Sequence, residues 1–115
     1  MKETAPITRA YLHGLAEPLK TDLVAALGLA RCEITDEPRQ AQIVFCDWDV
    51  DGFDALKAQF GALPVVVVSR APDMTGWLDA LEAGASDYCA APFESIQLRW
   101  ILDAHLRRPL RSAAA

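Results

Sequence analysis

The feature that most constrains the fold is a run of four successive valines, Val65–Val68, in the segment "LPVVVVS". A run of β-branched residues with no polar residue at alternate positions leaves neither face of a strand suited to water. Strands buried on both faces are typical of parallel sheets that are covered by helices on both sides. The valines therefore predict a central strand of an α/β protein.

The rest of the chain alternates strand signals with helix signals, as a parallel sheet with crossover helices requires. Apolar runs rich in β-branched and aromatic residues predict five strands, at 7–12, 30–34, 41–46, 63–69 and 86–90. Apolar residues at three- and four-residue spacing predict four helices, at 17–29, 53–60, 72–84 and 93–108. Only the short polar segment "DEPRQ" stands between the second and third strands. The helix at that crossover is therefore predicted to be shortened to a turn.

The last two predicted helices contain large apolar side chains. On one face of the first of them stand Met74, Trp77, Leu78 and Leu81, and the second contains Ile96, Trp100, Ile101 and Leu106. We expect Trp77 and Trp100 to pack on helices of the same fold. We also expect the apolar face of these helices to dock a partner or a second copy of the chain.

Length and charge limit the class of protein. At 115 residues the chain has the size of one domain, expected at 6–108 between a lead at 1–5 and a tail at 109–115. The 11 basic and 16 acidic residues give a formal net charge of −5, which opposes nucleic-acid binding by the whole chain. The sequence contains no apolar run long enough to span a bilayer and no secretory signal at its start. We therefore expect a cytoplasmic protein.

The three cysteines, Cys32, Cys46 and Cys89, are odd in number and widely spaced. They form no C-x-x-C pair, and the chain has only two histidines to complete a metal site with them. We expect buried free thiols, because free cysteine packs as a small hydrophobic residue.

The segment "DWDVDGFD", residues 47–54, clusters four carboxylates around a glycine. Its first six letters match the start of an EF-hand calcium loop, but the twelfth position, which needs a bidentate Glu, is Ala58. The preceding "AQIVFC" is also typical of a buried strand and not of the helix that precedes an EF-hand loop. The segment is therefore interpreted as the end of a buried strand that runs into an acidic loop.

The segment "VVVVSRAPDMTGWLDALEAGASDYCAAPF" resembles the C-terminal half of a response-regulator receiver domain, the CheY-like fold. That family has an apolar strand ending in Ser or Thr, a helix, "EAGA-x-DY", a short strand and "KPF". The interval from Ser69 to Ala91 is 91 − 69 = 22 positions, the family's usual interval between its hydroxyl residue and its lysine. The segment "VFCD" resembles the family's third strand with its phosphoacceptor Asp. The resemblance implies a doubly wound, flavodoxin-like sheet of five parallel strands in the order 2-1-3-4-5.

The resemblance also implies roles for individual residues. Asp47 matches the Asp that takes a phosphoryl group from a histidine kinase or phosphotransfer protein, and Ser69 matches the hydroxyl residue that contacts the phosphoryl oxygens. Asp49 stands where the family supplies a backbone carbonyl to Mg²⁺, and Tyr88 matches an aromatic residue that changes rotamer on activation. Asp47 and Asp49 are therefore the candidate Mg²⁺ ligands.

Two departures from the family pattern affect this chemistry. Where the family has a pair of acidic residues after its first strand, this chain has His13 and Gly14, and the lysine position before "PF" is Ala91. The first change removes oxygen ligands of Mg²⁺, which we therefore expect to bind weakly. The second change removes the cation that pairs with the phosphoryl group. Both are expected to slow phosphotransfer by orders of magnitude.

We therefore interpret the chain as a degenerate receiver that works mainly as a protein-interaction module and is not an enzyme. The alternative is a working phosphoacceptor that a histidine kinase phosphorylates on Asp47. Its partners would be such a kinase, a phosphotransfer protein or a downstream effector. A small flavodoxin-like cofactor binder has little support, because the sequence has no Gly-rich phosphate loop.

Overall fold

Five strands alternate with four α-helices in the computed structural model, which describes residues 8–48, 52–70 and 74–106, the side chains of Met74 and Thr75 excepted. The strands are β1 (Thr8–His13), β2 (Cys32–Ile34), β3 (Ile43–Asp47), β4 (Val65–Ser69) and β5 (Asp87–Ala90). The helices are α1 (Leu19–Leu29), α2 (Phe53–Phe60), α3 (Met74–Glu82) and α4 (Ser95–Leu106). All the predicted elements are present, although most of their ends shift by a residue or two.

The five strands form one parallel sheet in the order β2-β1-β3-β4-β5, which confirms the predicted topology. All strands run in the same direction, so their carboxyl ends lie along one edge of the sheet. The short β2 pairs with β1 only as far as Ala10, whereas β3 continues beside β1 as far as His13.

The valines of β4 show why both faces of the sheet need a helical cover. Val66 and Val68 belong to a first core cluster, on the face covered by α1 and α4, whereas Val65 and Val67 belong to a second core cluster, on the face covered by α2 and α3. All four are fully buried. Burial of a side chain of this size stabilises the fold by roughly 1.5–3 kcal/mol, so this strand anchors both layers.

The crossover from β2 to β3 contains a single 3₁₀ helix, Pro38–Gln40, in place of a full α-helix. This finding confirms the predicted shortening. On the face of β1 that such a helix would cover, Tyr11 is half-buried, and Arg9 and His13 are exposed. The Arg9 Nε atom lies 3.9 Å from a carboxylate oxygen of Glu33 on β2. This part of the sheet faces water with polar side chains.

The prediction for the two tryptophans of the last helices is wrong for Trp100, whose exposed fraction is 71%, and holds only in part for Trp77, at 39%. Helix α3 turns Gly76 and Ala80 toward the sheet, and α4 buries Leu98, Ile101 and Leu102. The buried residues of α3 are thus small, and its large side chains Trp77, Leu78 and Leu81 are exposed. Neither of these helices, nor any other in the described part of the chain, combines the length and apolar character needed to cross a bilayer.

Candidate functional site

The carboxyl edge of the sheet brings Asp47 and Ser69 to the ends of neighbouring strands. Asp47 ends β3 opposite Val68, and Ser69 follows Val68 as the last residue of β4. The chain after β5 continues along the same edge, since the Ala91 N–H donates to the Ser69 carbonyl oxygen at 2.8 Å. The three positions that the sequence aligned with the phosphoacceptor, hydroxyl and lysine residues thus meet at one edge.

Asp47 is exposed, and its carboxylate is held by its own following backbone. One carboxylate oxygen of Asp47 accepts the N–H of Trp48 at 2.8 Å. The half-buried Trp48 ring lies 5.4 Å from the ring of Phe53, centroid to centroid, so the indole anchors the start of the loop on α2. The carboxylate is therefore accessible to solvent, while the residue that follows it is held by packing on α2.

Ser69 and Tyr88 are both half-buried, but they lie at different levels of the sheet. Ser69 pairs with Ala90 at the carboxyl edge, whereas Tyr88 pairs with Val67, two residues earlier, and packs against the second core cluster. The predicted phosphate-contacting role of Ser69 fits its place beside Asp47. The predicted rotamer switch of Tyr88 stays a prediction, as does the role of Asp49, which lies outside the described residues.

The described residues do not fit the ligand set that Mg²⁺ requires. His13 ends β1 at the carboxyl edge, and Gly14 follows it with a φ of 70°, so neither supplies a carboxylate beside Asp47. Within residues 8–48, 52–70 and 74–106, no three His, Cys, Asp or Glu side chains group closely enough to hold a metal. Mg²⁺ prefers an octahedron of oxygen ligands. Asp47 alone is a poor site for it.

Ala91 stands at the aligned lysine position without a charge. The residue is half-buried and packs against the first core cluster, and a cis peptide bond joins it to Pro92. Its methyl group therefore contributes to the core and leaves the edge without the ammonium group that the resemblance implies. An anion at Asp47 therefore receives no charge-assisted hydrogen bond from this position. Such a bond is about twice as strong as a neutral one.

The cysteines next to this edge are buried free thiols, as predicted. Burial raises the pKa of Cys46 to about 12, with a further increase from the adjacent Asp47. Burial likewise raises the pKa of Cys89 to about 12, with Asp87 adding to it. The thiolate is the nucleophilic form, so both thiols are unreactive at neutral pH.

Two features of this part of the molecule were not found by sequence reasoning. Arg70 directly follows Ser69 and is exposed at the carboxyl edge. At the other end of β5, the His105 Nε2 atom lies 3.1 Å from a carboxylate oxygen of Asp87, which joins α4 to the edge strand. The position of Arg70 after the hydroxyl residue was a usable signal. The contact between residues 18 positions apart needed the register of the fold.

The fold resembles several solved structures, although no protein-family model matches the sequence and no curated protein is similar to it in sequence. The orphan response regulator HP1043 of H. pylori is 23% identical, with a TM-score of 0.64, over 87% of this chain and 97% of that one. A response regulator from Thermotoga maritima is 15% identical, with a TM-score of 0.71, over 90% of this chain and 100% of that one. A pilus assembly protein, CpaE, from Burkholderia thailandensis is 18% identical, with a TM-score of 0.73, over 88% and 99%.

These similarities concern architecture, because the identities of 15–23% are low. The shared features are the five parallel strands, their order and the helices on both faces. The chain therefore has the CheY-like, flavodoxin-like fold of response-regulator receiver domains.

Proposed function

We propose that this chain is a signal-transduction domain of the receiver type that works mainly through protein contacts and is regulated weakly or not at all by phosphate. The observation that carries the proposal is an apolar surface on α3 and α4, which both pack beside β5. The changed residues at the carboxyl edge support it, since Ala91 and His13 supply neither the cation nor the carboxylate that efficient phosphotransfer needs.

The apolar surface consists of five large exposed side chains, Trp77, Leu78, Leu81, Ile96 and Trp100. We call this set the docking face. Helix α3 covers one face of the sheet beside β5 and α4 covers the other, so these side chains flank the edge strand from both sides. Single exposed apolar residues are ordinary, but several around one edge strand favour an interaction site. Trp100 also lines a cleft of about 250 Å³ between α4 and β5. A Trp at the rim of a cleft is the kind of residue that dominates binding energy.

We propose a second copy of the chain as the occupant of the docking face. β5 is an edge strand, so its outer side has no neighbouring strand in the sheet. Asp79 and Glu82 are exposed acidic residues on α3, and Arg99 is an exposed basic residue on α4. In a two-fold dimer in which the α3 side of one copy faces the α4 side of the other, these opposite charges meet. Charge and apolar surface thus both favour self-association.

We also propose that the domain acts in the cytoplasm, has no catalytic activity toward other molecules, and passes a signal to an effector by contact. The boundaries of 6–108 fit an independent unit, because both core clusters close within the described elements.

A second candidate function is that of a working phosphoacceptor. The observation that favours it is the exposed Asp47 carboxylate at the end of β3 with Ser69 beside it at the end of β4. The phosphodonor would be a histidine kinase or a phosphotransfer protein, as the resemblance implies. We rank it second because Ala91 supplies no cation and the described residues supply no Mg²⁺ ligand set.

Sedimentation velocity at rising protein concentration tests the docking face. We expect a monomer–dimer equilibrium that Trp100→Ala weakens at least about tenfold, because truncation of an interface tryptophan commonly costs 2 kcal/mol or more. Val24→Ala is the matched control, since Val24 is 37% exposed on α1 and does not line the cleft between α1 and the start of α4. A wild-type protein that stays monomeric at millimolar concentration would remove the second copy as occupant. An equal effect of Val24→Ala would show that exposure alone, and not this face, drives association.

A further inference from the structure

Arg70 stands at the carboxyl edge with an exposed side chain and no ion pair with any described residue. It follows Ser69 directly, so the β4 strand fixes where its backbone lies. A guanidinium keeps its charge at every physiological pH, and it matches phosphate geometry with two parallel hydrogen bonds.

The pairing of β3 with β4 places Arg70 near Asp47 along the carboxyl edge. Successive side chains of a strand alternate between faces, and Phe45 belongs to the first core cluster, so Asp47 lies on that side of β3. Arg70 follows Ser69, the last residue of β4. Asp47 pairs with Val68, two residues before Arg70. Strand spacings put the two Cα atoms roughly 8 Å apart, a gap that a long arginine side chain spans.

No other permanent positive charge occupies this position in the described structure. The residues that end or directly follow β1, β3, β4 and β5 are His13, Gly14, Asp47, Trp48, Ser69, Arg70, Ala90 and Ala91. His13 lies on the opposite side from Asp47, because it shares a face with Tyr11, which packs against the second core cluster. Arg70 is therefore the one group in this set that can offset an anion at Asp47.

We infer that Arg70 is a positioning residue that pairs with a phosphoryl group on Asp47, in place of the lysine that Ala91 does not supply. This inference rests on the second candidate function and not on the docking face. In the step concerned, an Asp47 carboxylate oxygen attacks the phosphorus of an acyl phosphate and forms a new P–O bond. The P–O bond to the donor's carboxylate breaks, and that carboxylate leaves with its electron pair. The guanidinium holds the equatorial oxygens as charge moves across them.

The test is the rate of phosphoryl addition by intact mass, with acetyl phosphate as donor in Mg²⁺-containing buffer. Arg70→Ala is expected to label at least about tenfold more slowly than wild type, which corresponds to the loss of one charged hydrogen-bonding partner. Arg70→Lys should keep part of the rate, because it keeps the charge but not the paired geometry. Arg39→Ala, at an exposed arginine of the 3₁₀ helix before β3, is the matched control and should label like wild type. Asp47→Asn identifies the labelled residue.

Thermal unfolding of each variant separates a positioning role from a structural one, since exposed Arg70 should leave the melting temperature unchanged. Equal rates for wild type and Arg70→Ala would overturn the inference, as would an equal loss in Arg39→Ala. A wild type with no Asp47-dependent labelling would overturn it together with the second candidate function. The docking proposal would stand in that case, because sedimentation tests it without any phosphodonor.

Discussion

At the scale of single residues, the described part of the carboxyl edge of the sheet carries an exposed carboxylate without a neighbouring carboxylate or lysine. Asp47 ends β3 with an exposed side chain, and Ser69 lies next to it on β4. Ala91 packs against the first core cluster and has no charge. The position where the resemblance implies a lysine therefore contributes packing and no positive charge.

Restoration of the missing charge is the first prediction at this scale. Ala91→Lys should raise the rate of acetyl-phosphate labelling at least about tenfold, because an ammonium near Asp47 pairs with the incoming phosphoryl oxygens. The gain should vanish in the double variant with Asp47→Asn. Intact mass, recorded over a time course, measures the labelling rate. A crystal structure that shows the new ammonium beside Asp47 without any gain in labelling would mean that the edge has lost phosphotransfer altogether.

The buried thiols give a second prediction, on pH dependence. Burial raises the pKa of Cys46 and Cys89 to about 12 in the folded protein, from an ordinary value of 9.0. The unfolded chain therefore releases these protons first, and the stability present below pH 9 is lost as the pH rises toward 12. The slope is at most about 1.4 kcal/mol per pH unit for each thiol. Cys89→Ala should reduce the loss of unfolding free energy between pH 8 and 10, measured by urea denaturation. An unchanged slope in the variant would contradict the assignment.

At the scale of elements, the glycines at the helix ends differ in what their backbone requires. Gly61 ends α2 with a φ of 60°, a conformation that side chains rarely adopt, and its N–H donates to the Lys57 carbonyl at 2.9 Å. Gly28 lies within α1 near its end, with open space where a Cβ would stand. The two positions are therefore expected to respond in opposite ways to the same substitution.

Gly61→Ala should lower the free energy of unfolding by about 1–2 kcal/mol, since a β-carbon strains the positive φ. Gly28→Ala should raise it by roughly 0.5–1 kcal/mol, because alanine loses less backbone entropy in a helix. Chemical denaturation of the two variants beside wild type makes the comparison. The account of these helix ends is wrong if both substitutions change stability in the same direction.

Much of the element pattern could be predicted because it depends on local periodicity. The four valines required burial on both faces, and "DEPRQ" was too short and polar for a helix. The outward turn of Trp77 and Trp100 could not be predicted in the same way. Periodicity locates an apolar stripe but does not say whether that stripe meets its own sheet or another molecule. In the structure it is Gly76 and Ala80 that α3 buries, and the tryptophan next to Gly76 stays exposed.

The candidate site was predictable to a similar extent. Residues that end neighbouring strands of a parallel sheet lie at the same edge, whatever the register. The predicted strand ends were therefore sufficient to place Asp47 and Ser69 at one edge. The distance from Arg70 to Asp47 depends on how β3 pairs with β4, and so their proximity became visible only in the structure. The pairing of Asp87 with His105 joins an edge strand to the end of the last helix, and no local pattern encodes it.

At the scale of the whole molecule, our proposals assign function to two surfaces. The carboxyl edge holds Asp47, and the docking face on α3 and α4 holds the exposed tryptophans. β5 lies between them, because it ends at the carboxyl edge beside Ser69 and contacts α3. In our account the docking face works whether or not Asp47 is modified.

The measurement that tests this claim most directly is the dimer dissociation constant from sedimentation equilibrium, with and without acetyl phosphate and Mg²⁺, for wild type and Asp47→Asn. We predict the same constant, within about twofold, in all four conditions, because the docking face is exposed in the unmodified fold and needs no population shift. Trp100→Ala should weaken the dimer, and so raise this constant, in each condition. A wild-type dimer that forms only with acetyl phosphate, and that Asp47→Asn abolishes, would contradict the account and identify the domain as a phosphorylation-controlled receiver.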